Sequence, residues 1–364
     1  MRDNIIALSK KFISIKSTPD NTSALEKILK FALSNLKEFS IERFENKGAK
    51  SALIYNTPQR PKKFKVILNG HLDIIPGKES QYRPYINNGK LYGVGAMDMK
   101  ASVACLIEVF KEMANKVDYP LGLQLVTDEE VGGFNGTKYQ IEKGVRADFV
   151  IVGENTNFNI ENQAKGIMWA KVYAKGKTAH GAYPWKGENA ILKMNRFLNN
   201  LDKKYPAPTK AKWVTTVNVS RIETDNQTFN KIPDTCEVWL DIRYLPEKTA
   251  TVVSDLKKIL PKGFVLEIIA KEPALSTNKD NPFVRSLKTV IKNTIGKNAL
   301  VLAANGSSDA RHYARVRCPA IEFGPGGGGM GSDNEWVDIS DLEKYYQTLK
   351  NFLASLVSNS RAHN

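Results

Sequence analysis

Cysteine is scarce in this chain: three residues in 364, Cys105, Cys236 and Cys318, far apart and without a CxxC spacing. A disulfide framework and a cysteine-built zinc knuckle are both excluded, which leaves free, buried thiols as the reading. No stretch approaches the roughly 18 to 20 uninterrupted apolar residues of a membrane helix. The opening Met1-Arg2-Asp3-Asn4-Ile5-Ile6 lacks the long apolar core of a secretion signal. A soluble, cytoplasmic protein without membrane attachment is expected. Acidic residues are outnumbered, 38 against 53 Lys+Arg, for a net charge of +15. Yet the excess is dispersed as singles and pairs such as Lys10-Lys11, Lys62-Lys63 and Lys203-Lys204, with no basic block and no recognition motif. Nucleic acid is therefore not an expected partner. The loop Gly324-Pro325-Gly326-Gly327-Gly328-Gly329 lacks the Gly-Lys-Ser/Thr ending of a phosphate loop, and Gly93-x-Gly95 lacks the third glycine of a dinucleotide fingerprint.

What is present is enough apolar residue, 42% of a long chain, for more than one domain. Apolar positions at helical spacing (Ile5, Leu8, Phe12; Leu25, Ile28, Leu29, Leu33) predict two helices before Leu36, broken at Ser17-Thr18-Pro19. Strand-like runs at 65–68, 121–126 and 149–152 follow, with a helical run 103–113 between the first two. That alternation predicts an α/β domain with a mainly parallel sheet between helices. From about Gly166 the order becomes strand 168–174, helix 190–201, strand 214–220, strand 235–243, helix 250–260 and strand 265–270, the ferredoxin-like βαββαβ arrangement. After Leu275 come a helix 282–295, an apolar run 320–323 and a closing helix 340–356. The expected domains are a discontinuous one, 1–167 plus 275–364, and an inserted one, 168–274.

Each apolar strand of the larger domain ends in a polar cluster, and sites in open α/β sheets lie at the carboxyl ends of strands. The clusters are Asn69-Gly70-His71-Leu72-Asp73, Gly95-Ala96-Met97-Asp98-Met99-Lys100, Thr127-Asp128-Glu129-Glu130 and Gly153-Glu154. Singly each is ordinary, a core histidine or a solvated turn. Together they offer one imidazole and several carboxylates, a donor set for zinc, cobalt or manganese, whose charge turns carboxylate repulsion into ligation.

Over almost its whole length the sequence resembles the M20 family of metallopeptidases and deacylases, which includes desuccinylases, deacetylases, aminoacylases and dimeric carboxypeptidases. The resemblance is carried by NGHLDIIPG at 69–77, GKLYGVGAMDMK at 89–100, TDEEVGG at 127–133, VGENT at 152–156, GKTAHGAYPWKGENAI at 176–191, NKIPD at 230–234, LDIRYLP at 240–246, SSDAR at 307–311 and SDNEWV at 332–337. It implies a zinc-exopeptidase-like catalytic domain with an inserted lid and dimerisation domain, hence a homodimer. It implies that His71 and Glu154 bind one metal, that Asp98 bridges two, and that Glu130 binds the second. Asp73 resembles the carboxylate that orients the ligating imidazole, and Glu129 the general base. The bond after the bridging aspartate is cis in the family. His180 and Asn230 match residues that stabilise the oxyanion, and Arg243 and Arg311 match positions that receive substrate carboxylates; a strand-end salt bridge is the bland alternative for Arg243. The implied reaction is hydrolysis of an amide bond in a small anionic N-acyl amino acid or dipeptide.

One departure stands out. Where the family carries a histidine four residues before a glutamate, Met330-Gly331-Ser332-Asp333-Asn334-Glu335 has Gly331. His312 follows Arg311 in another motif, and His363 lies near the end of the chain. One or two ions per chain are therefore expected, with the second site depleted and activity reduced. A carboxypeptidase or dipeptidase, and a catalytically silent binding protein, are the alternatives. Val94 and Asn155, where the family commonly has arginine and proline, read as drift.

Overall fold

A computed structural model describes residues 1–357; His363 lies outside the described residues. The chain divides into two compact units, one formed by Met1–Gln163, Leu275–Ala304 and the chain from Ser308 on, the other by Ala164–Ala274 with Asn305–Ser307.

The first unit is an α/β structure on a nine-stranded mixed sheet. Its centre holds Leu121–Val126, Phe64–His71 and Ala147–Val152 side by side and parallel, with Ala320–Glu322 parallel beyond the last of them. These strands are largely apolar and buried on both faces; every residue of Leu121–Val126 is buried. The sheet is extended antiparallel by the hairpin Ser40–Asn46/Ala49–Tyr55 on one side and by Ile160–Ala164 on the other. The helix Ala101–Met113 is buried almost all round, packed on Phe64–His71 and between the helices Arg2–Ile13 and Ile339–Ser355. Gly70 permits that approach, since a Cβ there would lie 2.7 Å from Val103 Cγ2.

The helices start and stop where their end residues direct. Asn281 accepts from the Phe283 amide, Pro282 occupies the first turn, and Gly296 at φ +72 ends the helix Pro282–Ile295. Asp338 accepts from the Ser340 and Asp341 amides to open Ile339–Ser355.

The second unit carries an antiparallel sheet in the spatial order Thr216–Glu223, Thr235–Tyr244, Gly166–Lys175, Val265–Glu272, the ferredoxin-like order. Its core joins Met168, Val172, Val238 and Leu240 from the strands to Met194, Phe197 and Leu256 from the helices Ala190–Lys204 and Val252–Lys257. The second helix is shorter than the apolar spacing predicts. Its last turns give way to the Pro261-Lys262-Gly263 turn, where Gly263 takes φ +87.

Candidate active site

Parallel register carries distant residues to one edge of the first unit's sheet. His71 pairs with Val126, so the turn after Leu121–Val126 emerges beside it; Asn69 pairs with Val152, which brings Glu154 level with His71. Asp98 arrives from the segment Ala96–Lys100, where the helical path breaks and the Asp98–Met99 bond is cis.

His71 is 1% exposed. Its Nδ1 donates to the Asp73 carbonyl at 3.0 Å, with Asp73 Oδ1 at 3.5 Å, which turns Nε2 toward Asp98 Oδ1 at 2.9 Å and Glu154 Oε1 at 3.8 Å. Fixing one ring nitrogen to present the other is how ligating histidines are oriented. Among the described residues, His71, Asp98 and Glu154 form a group whose donor atoms all lie within 4.8 Å of one another. Glu130 stands beside it, its amide on Asp73 Oδ2 at 2.9 Å and its Oε1 accepting the Ile75 amide at 3.2 Å.

The field of this cluster is negative and poorly solvated. Burial works against charge on His71, but its bonds to Asp73 and Asp98 and the charge of Glu154 outweigh it, so its pKa is raised well above the usual range. Burial, then Asp98, holds the Glu154 carboxyl well up. Burial also raises Glu129, against the pull of His71 and Arg311, and pushes Glu130 to about 7. His71, Glu129, Glu130 and Glu154 thus lean toward holding protons, as groups in a cluster short of positive charge do. One nitrogen and two oxygens in reach of one point fit a divalent cation.

The remaining candidates fall into two groups. Arg311 belongs to the first unit and is 1% exposed, its Nη1 on the Ser308 carbonyl at 2.6 Å and its Nη2 on the Gly132 carbonyl at 2.7 Å. In the second unit His180 and Asn230 are exposed neighbours: His180 Nδ1 accepts the Ala182 amide at 3.1 Å, and the Asn230 carbonyl accepts the Gly181 amide at 2.6 Å. Arg243, half-buried, directs Nε at both Asp241 oxygens, 3.0 and 3.1 Å away.

Gly331 is exposed at φ +70 and lines a cavity of about 210 Å³ with Ile75, Gln81, Val94 and Glu335. Of the other described imidazoles, His180 belongs to the second unit, and His312 is buried with Nε2 on the Gly132 carbonyl at 3.0 Å.

Two buried groups escaped the sequence reading. Glu335 is 2% exposed and accepts the Met97 and Asp98 amides at 2.8 and 3.1 Å, tying down the backbone that carries Asp98. The Lys100 ammonium, lowered to about 7 by burial, donates to the Ile15 carbonyl at 2.8 Å. Each sits inside a quoted motif, SDNEWV or AMDMK, but only the fold shows what it touches.

A model of peptidase family M20/M25/M40 matches residues 67–355. The succinyl-diaminopimelate desuccinylase of Rickettsia bellii (strain RML369-C) is 30% identical, over 78% of this chain and 79% of that one. Among solved structures, aminopeptidase PepT from Bacillus cereus ATCC 10987 superposes with a TM-score of 0.79 at 19% identity, covering 97% of this chain and 98% of that one. An M20 family metallo-carboxypeptidase from Sulfolobus solfataricus does so with 0.74 at 16%, covering 96% and 98%. The two structural likenesses establish the fold.

Proposed function

The chain belongs to peptidase family M20/M25/M40 and is a hydrolase, and from that premise we propose that it cleaves the amide bond of a small N-acyl amino acid, in the manner of a desuccinylase or deacetylase, or of a dipeptide. The observation that carries the proposal is the meeting of His71, Asp98 and Glu154 beside the turn that holds Glu129 and Glu130. His71, Asp98 and Glu154 would hold one divalent cation, zinc, cobalt or manganese, and Glu130 would serve a second shared through Asp98. When bound, the cation supplies Lewis-acid polarisation of the scissile carbonyl and lowers the pKa of water.

The chain's own groups do the rest. Glu129, its carboxyl raised by burial, takes the proton of the attacking water and returns it to the leaving amine. Asp73 keeps the His71 ring aimed. His180 and Asn230 are proposed donors to the oxyanion, and Arg243 and Arg311 proposed partners of the substrate carboxylate. Arg243, half-exposed beside Asp241, is the more available of the two. We place the protein in the cytoplasm as a homodimer joined through the inserted unit, and among the described residues no helix is long and apolar enough to cross a membrane.

Gly331 favours a second reading, a depleted second metal site with reduced or absent turnover. A panel of N-succinyl, N-acetyl and dipeptide substrates with zinc, cobalt and manganese separates the two. Turnover on one class supports the hydrolase; inactivity on all, unchanged in Gly331→His, points to a silent binding protein.

A further inference from the structure

We infer that His312 is a positioning residue which, together with Arg311, clamps the turn bearing Glu129; the inference rests on the proposed hydrolysis only for what that turn does. The turn Glu129–Val131 runs directly into Gly132 and Gly133, which adopt φ +106 and +61. Two successive glycines in the left-handed region form a hinge, because neither has a side chain whose packing would hold it. Within the hinge, the Gly132 amide donates to the Glu129 carbonyl and the Gly133 amide to the Asp128 carbonyl, both at 2.7 Å.

The hinge is then held from outside. The Gly132 carbonyl receives Arg311 Nη2 at 2.7 Å and His312 Nε2 at 3.0 Å, one donor for each lone pair. A carbonyl only accepts, so His312 carries a proton on Nε2. Burial, then the neighbouring Arg311 charge, hold the ring pKa well below its ordinary value, so this donor is neutral.

His312 is a rigid place to clamp from. It is fully buried on the helical segment Asp309–Val316, which opens with the Ala310 amide on Ser308 Oγ at 3.2 Å. The hinge fits against that segment closely: a Cβ on Gly133 would stand 2.0 Å from Asp309 Oδ1 and 3.1 Å from His312 Nε2. A turn that carries a proton-transferring carboxylate needs its aim fixed to a fraction of an ångström, and a glycine hinge three residues away works against that unless pinned.

The test compares His312→Phe, which keeps a ring and loses the donor, with His312→Gln, which keeps an N–H of similar reach. Two readouts are taken: amide hydrogen exchange of Gly132 and Gly133 in the metal-free protein, and kcat and KM on the best substrate of the panel. In His312→Phe, exchange should quicken by about tenfold and kcat fall by about tenfold, the scale of one lost buried hydrogen bond, with KM within about twofold. His312→Gln should recover most of both. Exchange and kcat within twofold of the parent in His312→Phe, an effect on KM alone, or equal losses in the Phe and Gln variants each overturn the inference. If His312→Phe does not fold, His312→Asn, too short to reach the carbonyl, takes its place. A parent that hydrolyses nothing sinks the proposed function while the exchange comparison still decides the clamp.

Discussion

Placing an imidazole at position 331 with Gly331→His tests the proposed second metal position most directly. The position is exposed, and a Cβ there would meet Ile75 Cδ1 at 3.5 Å, an ordinary contact. The side chain is therefore sterically admitted. The backbone is the cost: at φ +70 a residue with a Cβ loses about 1 to 2 kcal/mol. Against this stands the gain of a protein ligand. Ile75, the residue the new side chain would touch, gives its amide to Glu130 Oε1 at 3.2 Å, so Ile75 links position 331 to the carboxylate proposed for the second ion. Losing even an outer partner of a metal ligand costs about 10- to 100-fold in affinity, so a direct nitrogen donor should gain at least that, about 1.4 to 2.8 kcal/mol. The metal-free fold bears that cost of about 1 to 2 kcal/mol with nothing to offset it, and the gain of about 1.4 to 2.8 kcal/mol appears only once metal is present. Metal analysis after desalting should rise from about one ion per chain to about two, and turnover should rise with it. The metal-free variant should melt slightly below the parent. Two tightly held ions in the unsubstituted chain, or a second-ion affinity in Gly331→His within twofold of the parent's, would refute the reasoning.

Three further outcomes are expected. Glu129→Gln should lower kcat by about 10²- to 10⁴-fold while metal content stays at the parental level; retained turnover would remove Glu129 from proton transfer. Glu322 is buried, accepts the Ser308 hydroxyl at 2.6 Å and faces Glu161 across antiparallel strands, and burial followed by Glu161 pushes its carboxyl up to about 8. It keeps its proton when folded to a pH at which the unfolded chain, titrating near 4.3, has lost it. Stability should therefore fall as pH rises from about 4.5 through about 8, and Glu322→Gln, which imitates the protonated form, should flatten that decline; superimposable melting profiles of the two proteins would contradict this. Chelation should lower the melting temperature, and zinc at about a thousandfold over its dissociation constant should restore about 4 kcal/mol. Melting indifferent to both would argue against His71, Asp98 and Glu154 as a metal site.

Much of the fold is legible in the sequence because its signals are local. The buried parallel strands show as continuous apolar runs such as 149–152, and the helices show as 3.6-residue spacing closed by caps such as Asn281 and Gly296. The hairpin Ser40–Asn46/Ala49–Tyr55 escaped because its first strand buries only Phe44, so alternation is faint. Its turn was nonetheless marked by Asn46-Lys47-Gly48, where Lys47 and Gly48 take φ +46 and +84. The strand Ile160–Ala164 and the small sheet of Tyr85–Asn87, Lys90–Tyr92, Trp336–Asp338 and Gly327–Gly328 are too short to carry a period.

By itself, the sequence determined the chemistry on offer: one imidazole and a set of carboxylates at strand ends, a glycine at 331 where the resemblance implies a histidine, and the order of elements that brings the strand ends together. Tertiary structure alone decided what each group touches. It joined His71 to Glu154 through the register of Asn69 opposite Val152, gave Glu335 to the Asp98 backbone, and turned Arg311 and His312 onto the Gly132 carbonyl. The physical reason is range. Apolar period, caps and turns act over a few residues and leave their pattern in the chain, whereas a hydrogen bond between residues far apart in sequence depends on how whole elements pack.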